Sequence, residues 1–398
     1  MRRTNSSALL QCNCVAVLGS ALGSVAVLLP WLALRSSRLA AGESTGLAGA
    51  AGTSLTILII ALWVSCLWAS LGARSERRSV VLGFSGAIVL PLTLLVAGTG
   101  ATRLLEPQGS AARASLGVGV WLSLLAAYVL IHTSRLELSG RPGLRTLLTW
   151  LGPVLVLAIG MTGVYRDISL VQEFQGNESR FLQEMIRHVM LCLGSVTIGT
   201  CIAIPLGIAA ARSKKAARPI IVISSAIETI PSLALFGLII APLSALSYAY
   251  PALREMGIRG VGATPAIIAL VLYSLLPIVH NTYVGLREVS PAALDAGRGM
   301  GMSRRQLARK VEFPLAAPLI AEGVRTAAVQ AVGNTTVAAL IGAGGLGHFI
   351  FQGLGQAAPD LILLGALPVI ALALAMDTFM RMVIRGLTPH GLRTEAGQ

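Results

Sequence analysis

The sequence is short of charge. Asp, Glu, Lys and Arg together make up 12% of its 398 residues, and hydrophobic residues make up 55%. Soluble domains carry about 25% charge, and a single soluble core stops growing near roughly 250–300 residues. That deficit excludes one large soluble globule and calls for lipid. Long polar stretches are lacking too, which argues against a fused soluble ligand-binding domain. No GxxxxGK[ST] phosphate loop occurs, so ATP hydrolysis of the P-loop kind is not expected of this chain. Neither HExxH nor GxSxG occurs. The histidines at 132, 188, 280, 348 and 390 are scattered, with no metal-ligand spacing and no nucleophile–base arrangement. The five cysteines, Cys12, Cys14, Cys66, Cys192 and Cys201, lie in or beside apolar runs. Their odd number and placement argue against a disulfide framework, and Cys12-x-Cys14 has no second pair to complete a metal site.

What is present is a succession of apolar runs. A bilayer core about 30 Å thick takes about 20 helical residues. Ten runs meet that length, near 9–34, 51–73, 80–99, 114–133, 147–165, 189–211, 219–243, 263–285, 313–339 and 360–383. They are too long and continuous for barrel strands, so the expected fold is an all-α polytopic membrane protein of about ten transmembrane helices. The first run reads as a retained signal-anchor helix, being long enough to span and carrying Pro30 and Trp31 near its far end. The 43 glycines suit membrane helices.

The net charge of +14 raises nucleic acid as a partner, but the basic residues fall in short clusters between apolar runs, as the positive-inside rule expects. With the N-terminus inside, about 21 of the 31 Lys and Arg residues fall on the cytoplasmic side. Both ends are then cytoplasmic, and the number of spans is even. Four regions follow: 1–166, a membrane region of about five helices without recognisable chemistry; 167–187, a mixed-charge extracytoplasmic linker containing Asp167, Glu173, Glu178 and Glu184; 188–385, with five spans and every motif; and 386–398, a cytoplasmic tail.

The richest segment is SPAALDAGRGMGMSRRQLARKVEFP, residues 290–314. Ser290 and Pro291 suit a helix start, Ala292 to Ala296 favour helix, and Gly297, Gly299 and Gly301 permit a bend. Ser303 is placed to cap a second helix over Arg304 to Val311. Pro314 opens the next span at its first turn, where its missing N–H costs little. Two short helices joined by a glycine bend and held between two spans can carry a rigid-body movement from a soluble partner into the bilayer. A basic loop that only fixes topology would have the same charge.

This segment resembles the EAA loop of binding-protein-dependent ABC importer permeases. The family pattern is Glu-Ala-Ala, three residues, Gly, nine residues, then an apolar residue, one residue and Leu-Pro. Here Asp295-Ala296-Gly297 is followed by Gly301 and then by Val311-Glu312-Phe313-Pro314. Asp replaces Glu, Gly replaces the second Ala, and Phe replaces Leu. The Ala-Gly form is similar to that of the osmoprotectant (glycine betaine/choline/proline-type) permeases. The resemblance covers about 190–385 and implies a type I ABC importer permease core of five C-terminal helices, paired with a second copy or a related permease. It implies cytoplasmic ABC ATPase subunits that use the ATP, an extracytoplasmic solute-binding protein, and no cofactor on this chain. Ala293, Asp295, Ala296, Gly297, Arg298, Gly301, Ser303 and Pro314 would form the ATPase-coupling loop. The implied cargo is glycine betaine, choline or a related quaternary amine. An amino-acid importer such as a methionine type, and an ion-coupled secondary transporter, are the rival readings.

Other candidates lie inside the spans. Glu228-Thr229-Ile230-Pro231-Ser232 is similar to a segment of betaine-type permeases. A carboxylate in lipid usually faces a bundle interior, and Pro231 frees a carbonyl that Thr229 or Ser232 can satisfy. This stretch reads as pathway or hinge, or as a packing kink if Glu228 pairs with Arg218. Asn334 and Thr335 offer contacts to a passing solute, or bonds between helices. Gly342-Ala343-Gly344-Gly345-Leu346-Gly347 matches GxGxxG but follows a helical run rather than a strand, which speaks against a dinucleotide site. Gly344 and Gly345 instead suit a re-entrant turn near an outer gate, or a plain tight loop. Glu322 with Arg325, and Asp377 with Arg381, have the spacing of pairs along one helix.

Overall fold

The computed structural model describes residues 13–37, 40–107 and 111–389. It divides into two compact units, Met1–Gly176 and Asn177–Gln398. Arg2, Arg3, Cys12, His390, Arg393 and most of the tail read over 386–398 lie outside the described residues.

In the first unit the opening helix is α1, Cys14–Ala26, whose N-terminus is capped by the Asn13 side chain accepting from the Val15 and Ala16 N–H groups. The run read as 9–34 leaves the helix at Ala26, because Pro30 has no N–H and disfavours helix in the residue before it. Trp31 folds back and its indole N–H donates to the Ala26 carbonyl at 2.9 Å. A small antiparallel sheet follows, which the helical periodicity does not reveal. Its strands are β1, Leu32–Arg35, β2, Glu43–Thr45, and β3, Arg113–Leu116, in the order β2-β1-β3 with Leu32 opposite Leu116. The remaining helices are α2, Leu47–Ala51, α3, Thr53–Ser70, α4, Glu76–Leu105, α5, Val118–Glu137, α6, Pro142–Met161, and α7, Ser169–Gly176. Small residues seat α4 against α5: a Cβ on Gly86 would lie 2.8 Å from the Ala127 carbonyl, and Thr93 and Ser123 share a buried hydroxyl bond of 3.0 Å.

The second unit opens with the 35-residue α8, Glu178–Arg212. The stretch read as a linker over 167–187 is therefore largely helical, divided between α7 and the first turns of α8. There follow α9, Lys214–Thr229, α10, Ser232–Ala249, α11, Pro251–Glu255, α12, Ala263–Arg287, α13, Pro291–Gly299, and α14, Arg304–Leu307. A π-helical turn, Ala308–Glu312, runs into α15, Phe313–Ala338, then a 3-10 turn, Ala339–Ile341, α16, Gly347–Gly355, and α17, Pro359–Leu387. The run read as one span over 219–243 is two helices, α9 and α10, broken at Ile230 and Pro231.

Among the described residues eight helices, α3 to α6, α8, α10, α12 and α17, are long and apolar enough to cross a membrane. Of the other expected spans, α1 is apolar but has 13 residues. The 26 residues of α15 include Glu322, Arg325, Gln330 and Asn334. The most enclosed helix is α12, with 61% of its apolar window buried. It packs on α8 and α15. A Cβ on Gly207 of α8 would lie 2.5 Å from Thr282, and one on Gly323 of α15 would lie 2.7 Å from the Pro277 carbonyl.

Candidate functional site

The 290–314 segment folds as two short helices joined by a bend. Pro291 occupies the first turn of α13, and Ser290 stands at the N-cap position without a side-chain capping bond. Gly297 is buried where α13 meets α14: a Cβ there would come 2.5 Å from Leu307 Cδ1. Gly301 has φ +76°. Its N–H donates to the Arg298 carbonyl at 2.9 Å, and the Met302 N–H donates to the Gly297 carbonyl at 3.2 Å. These two bonds make a Schellman stop, which needs a left-handed residue at this position. Ser303 then starts α14 with a complete capping box: its N–H donates to Gln306 Oε1 at 2.8 Å, and the Gln306 N–H donates to Ser303 Oγ at 3.3 Å.

Pro291, Ala292, Asp295, Ala296 and Arg298 are exposed on α13 and Ala293 is half-buried. Asp295 and Arg298 form an exposed pair at 2.8 Å. On the other side Leu294 packs against Val289, Ala316 and Ile320. The helix read over Arg304 to Val311 is α-helical only to Leu307. It continues through the π turn into α15 without a break, with Pro314 in the first turn of α15. Within that turn the buried Glu312 carboxylate is ion-paired with Arg212 at the end of α8, the second contact (Nη1 to Oε1) being 3.3 Å. Nothing local in the sequence joins these two residues, 100 positions apart.

The break at Pro231 opens a cleft of about 320 Å³ lined by Glu228, Thr229, Ile230, Pro231, Ser232, Tyr273, Gln330 and Asn334. Four of the expected pathway residues, Glu228, Pro231, Ser232 and Asn334, thus meet at one place. Thr335 does not join them. It is fully buried on the α8 side of α15, donating to the Ala331 carbonyl at 2.7 Å and lying 3.2 Å from Cys192 Sγ.

Thr229 satisfies one carbonyl freed at the break, and a side chain of α12 satisfies another. The Ile230 N–H donates to the Ile227 carbonyl at 3.2 Å, and the Tyr273 hydroxyl of α12 donates to the Ile230 carbonyl at 2.5 Å. The Thr229 hydroxyl bonds Ala226. Glu228 does not pair with Arg218; the Gln330 amide donates to its Oε1 at 3.3 Å.

Gly344 and Gly345 stand apart from the cleft, in a turn between the 3-10 segment and α16. Their φ angles are +79° and +92°, and a Cβ on Gly344 would lie 2.6 Å from Arg187 Cδ. The turn is held from α8. The Gly345 N–H donates to Glu184 Oε2 at 2.6 Å, and the Leu346 N–H donates to His188 Nδ1 at 3.3 Å. His188 Nε2 lies 3.1 Å from the Val332 carbonyl. A carbonyl only accepts and an amide N–H only donates, so these partners assign the neutral tautomer with the proton on Nε2. In the sequence Glu184 stands in the mixed-charge stretch and His188 among the scattered histidines, and nothing local joins either to the glycine turn.

The two separate pairs expected on α15 and α17 form one network. Arg325 pairs with Glu322 on its own helix, and its Nε donates to Asp377 Oδ1 at 2.6 Å. Asp377 also accepts from Arg381 at 2.8 Å.

Residues 203–389 match the family described as "Binding-protein-dependent transport system inner membrane component". Residues 11–171 match the N-terminal domain of ABC transporter permease YehY. The chain is 41% identical over 224 residues to a choline transport system permease, OpuBB, of Bacillus subtilis, covering 56% of this chain and 96% of that protein. A carnitine transport permease, OpuCB, of Listeria monocytogenes is 41% identical over 225 residues, 56% of this chain and 96% of its own length. An osmoprotectant import permease, OsmW, of Salmonella typhimurium is 39% identical over 207 residues, 52% and 91% of the two chains. Among solved structures, an inward-facing methionine ABC transporter, MetNI, aligns over 52% of this chain and 96% of its own with a TM-score of 0.45 and 20% identity. With close to the full length of several permeases reproduced at about 40% identity, the chain belongs to the family of inner-membrane components of binding-protein-dependent transport systems.

Proposed function

We propose that the chain is the permease subunit of an ATP-driven importer that moves a compatible solute, a quaternary amine such as choline, glycine betaine or carnitine, into the cytoplasm. One observation carries the reading: 41% identity across 96% of a choline transport permease. The same likeness favours this cargo over an amino-acid importer and over an ion-coupled transporter. In this reading the chain sits in the bacterial inner membrane with both ends cytoplasmic. It works with a second permease, an extracytoplasmic solute-binding protein and separate ATPase subunits that hydrolyse the ATP.

The geometry of the second unit supports a mechanism. The exposed small face of α13, with Ala292, Asp295 and Ala296, fits a groove on an ATPase. Leu294 and the π turn fasten that face to α15, so a movement of α13 carries α15 with it. At about 1.5 Å rise per residue, Asn334 lies roughly 30 Å along α15 from Pro314, the thickness of a bilayer core. A second arm runs through the Arg212–Glu312 pair into α8, whose far end holds the Gly344–Gly345 turn. One lever thereby reaches both the cleft and the glycine turn.

The test is uptake into proteoliposomes containing this chain, its ATPase and its binding protein. ATP-dependent accumulation of radiolabelled choline, glycine betaine or carnitine is expected. Uptake driven by an ion gradient with the chain alone would reject the proposal.

A further inference from the structure

The cleft at the α9–α10 break carries one formal charge. Glu228 is the one carboxylate among its lining residues, and no Lys or Arg lines it. Its other polar groups are neutral, and the Tyr273 hydroxyl is already engaged by the Ile230 carbonyl. Gln330 donates to one oxygen of Glu228. Among the described residues no protein donor meets the second oxygen, and no basic side chain forms an ion pair with this carboxylate. The Glu228 carboxylate, half-buried at the end of α9, has no cationic partner among the described residues, and a mobile cation in the cleft would balance its charge. The cleft volume of about 320 Å³ falls in the range of about 300–1,000 Å³ found for small-molecule sites. Ile230 and Pro231 supply apolar wall beside the charge.

We infer that Glu228 makes this cleft a binding post for a methylated ammonium headgroup, so that the permease itself separates a cation from its neutral isostere. The inference deepens the transport reading above and rests on it. A trimethylammonium group has no N–H to donate, so its attraction to Glu228 is one of charge, while its methyl groups face Ile230 and Pro231. Discrimination follows from the long-range term alone, and the carboxamides of Gln330 and Asn334 remain to orient any hydroxyl on the ligand.

The experiment is equilibrium binding of radiolabelled choline to the permease–ATPase complex in lipid nanodiscs, without the solute-binding protein. The competitor is 3,3-dimethyl-1-butanol, in which carbon replaces the charged nitrogen. Choline is expected to bind and the neutral isostere to leave it bound. Glu228→Gln, close to isosteric, is expected to weaken choline binding about tenfold or more, and Glu228→Asp to stay within about threefold of the native chain. Absence of choline binding, displacement by the isostere as effective as by unlabelled choline, or native affinity in Glu228→Gln would each overturn the inference. Energised uptake measured in parallel separates the two claims. Glu228-dependent binding without uptake of any quaternary amine would leave the cleft standing and reject the transport reading. Uptake with binding indifferent to Glu228 would do the reverse.

Discussion

Single residues in the second unit act mainly through backbone conformation and unshared charge. Gly301 has open space around it, so a side chain there is opposed by conformation alone. A left-handed backbone costs a residue with a Cβ about 1–2 kcal/mol. Gly301→Val is therefore expected to loosen the junction of α13 and α14 while the membrane helices still form. Measured in proteoliposomes, ATP hydrolysis by the partner subunits should persist while solute moved per ATP falls several-fold. A ratio equal to that of the native chain would remove Gly301 from the coupling path. Arg325 is different: it compensates two carboxylates, Glu322 and Asp377, from two helices. Arg325→Met leaves both without that cation, and a loss of stability is expected. It is read as a lower melting temperature in detergent, and Asp377→Asn in the same chain should restore part of it.

At the scale of elements, the informative features are a helix that breaks and a helix that does not. Pro231 ends α9, and Tyr273 of α12 accepts the consequence by bonding the exposed Ile230 carbonyl. Tyr273→Phe deletes that bond and is expected to destabilise the chain by about 1 kcal/mol. It should also increase maleimide labelling of a cysteine placed at Thr229; an unchanged rate would mean that the break is held by Pro231 alone. By contrast α14, the π turn and α15 run on continuously, and π turns inside helices often mark functional sites. Arg212→Met leaves the buried Glu312 carboxylate without its cation. Because Arg212 is half-exposed, the expected cost is on the order of 1–2 kcal/mol. If the pair transmits movement to α8, uptake should fall further than stability does, and the exchange Arg212→Glu with Glu312→Arg should recover part of the uptake.

How much of these elements was legible follows from the range of the interaction concerned. The Ser303 capping box and the Gly301 stop are each written within six residues, and both form. The glycine turn at 344–345 is likewise visible as a run of residues that tolerate positive φ. The break at Pro231 is visible as a proline, but not the atom that satisfies it, since Tyr273 is 43 positions from Ile230. Thr335 shows the limit of reading by neighbourhood. It adjoins Asn334 in sequence, yet a rotation of about 100° along the helix turns it from the cleft to the α8 packing face. The strands at Leu32–Arg35 and Arg113–Leu116 were hidden for a related reason, because their pairing joins segments some 80 positions apart.

For the whole molecule, the division at Gly176 and Asn177 sets apart a unit of 222 residues, and relatives align over 207 to 225 residues. A protease site inserted between Gly176 and Asn177 tests whether covalent continuity matters. Cleavage of the purified, membrane-inserted protein is expected to leave ATP-dependent uptake within about twofold of the uncut protein, because short exposed junctions tolerate nicking. Loss of uptake on cleavage, with both fragments still inserted, would give the first unit a mechanical part in transport.

Hydropathy, charge clusters and turn chemistry were enough to specify a many-helix membrane protein and the two-helix loop at 290–314, because each depends on a residue and neighbours within a few positions. Packing alone decided which distant groups meet: Glu184 with Gly345, Arg212 with Glu312, Arg325 with Asp377, and Gln330 with Glu228. Those pairings depend on the angles and rotations at which whole helices settle against one another, and no local pattern carries that information.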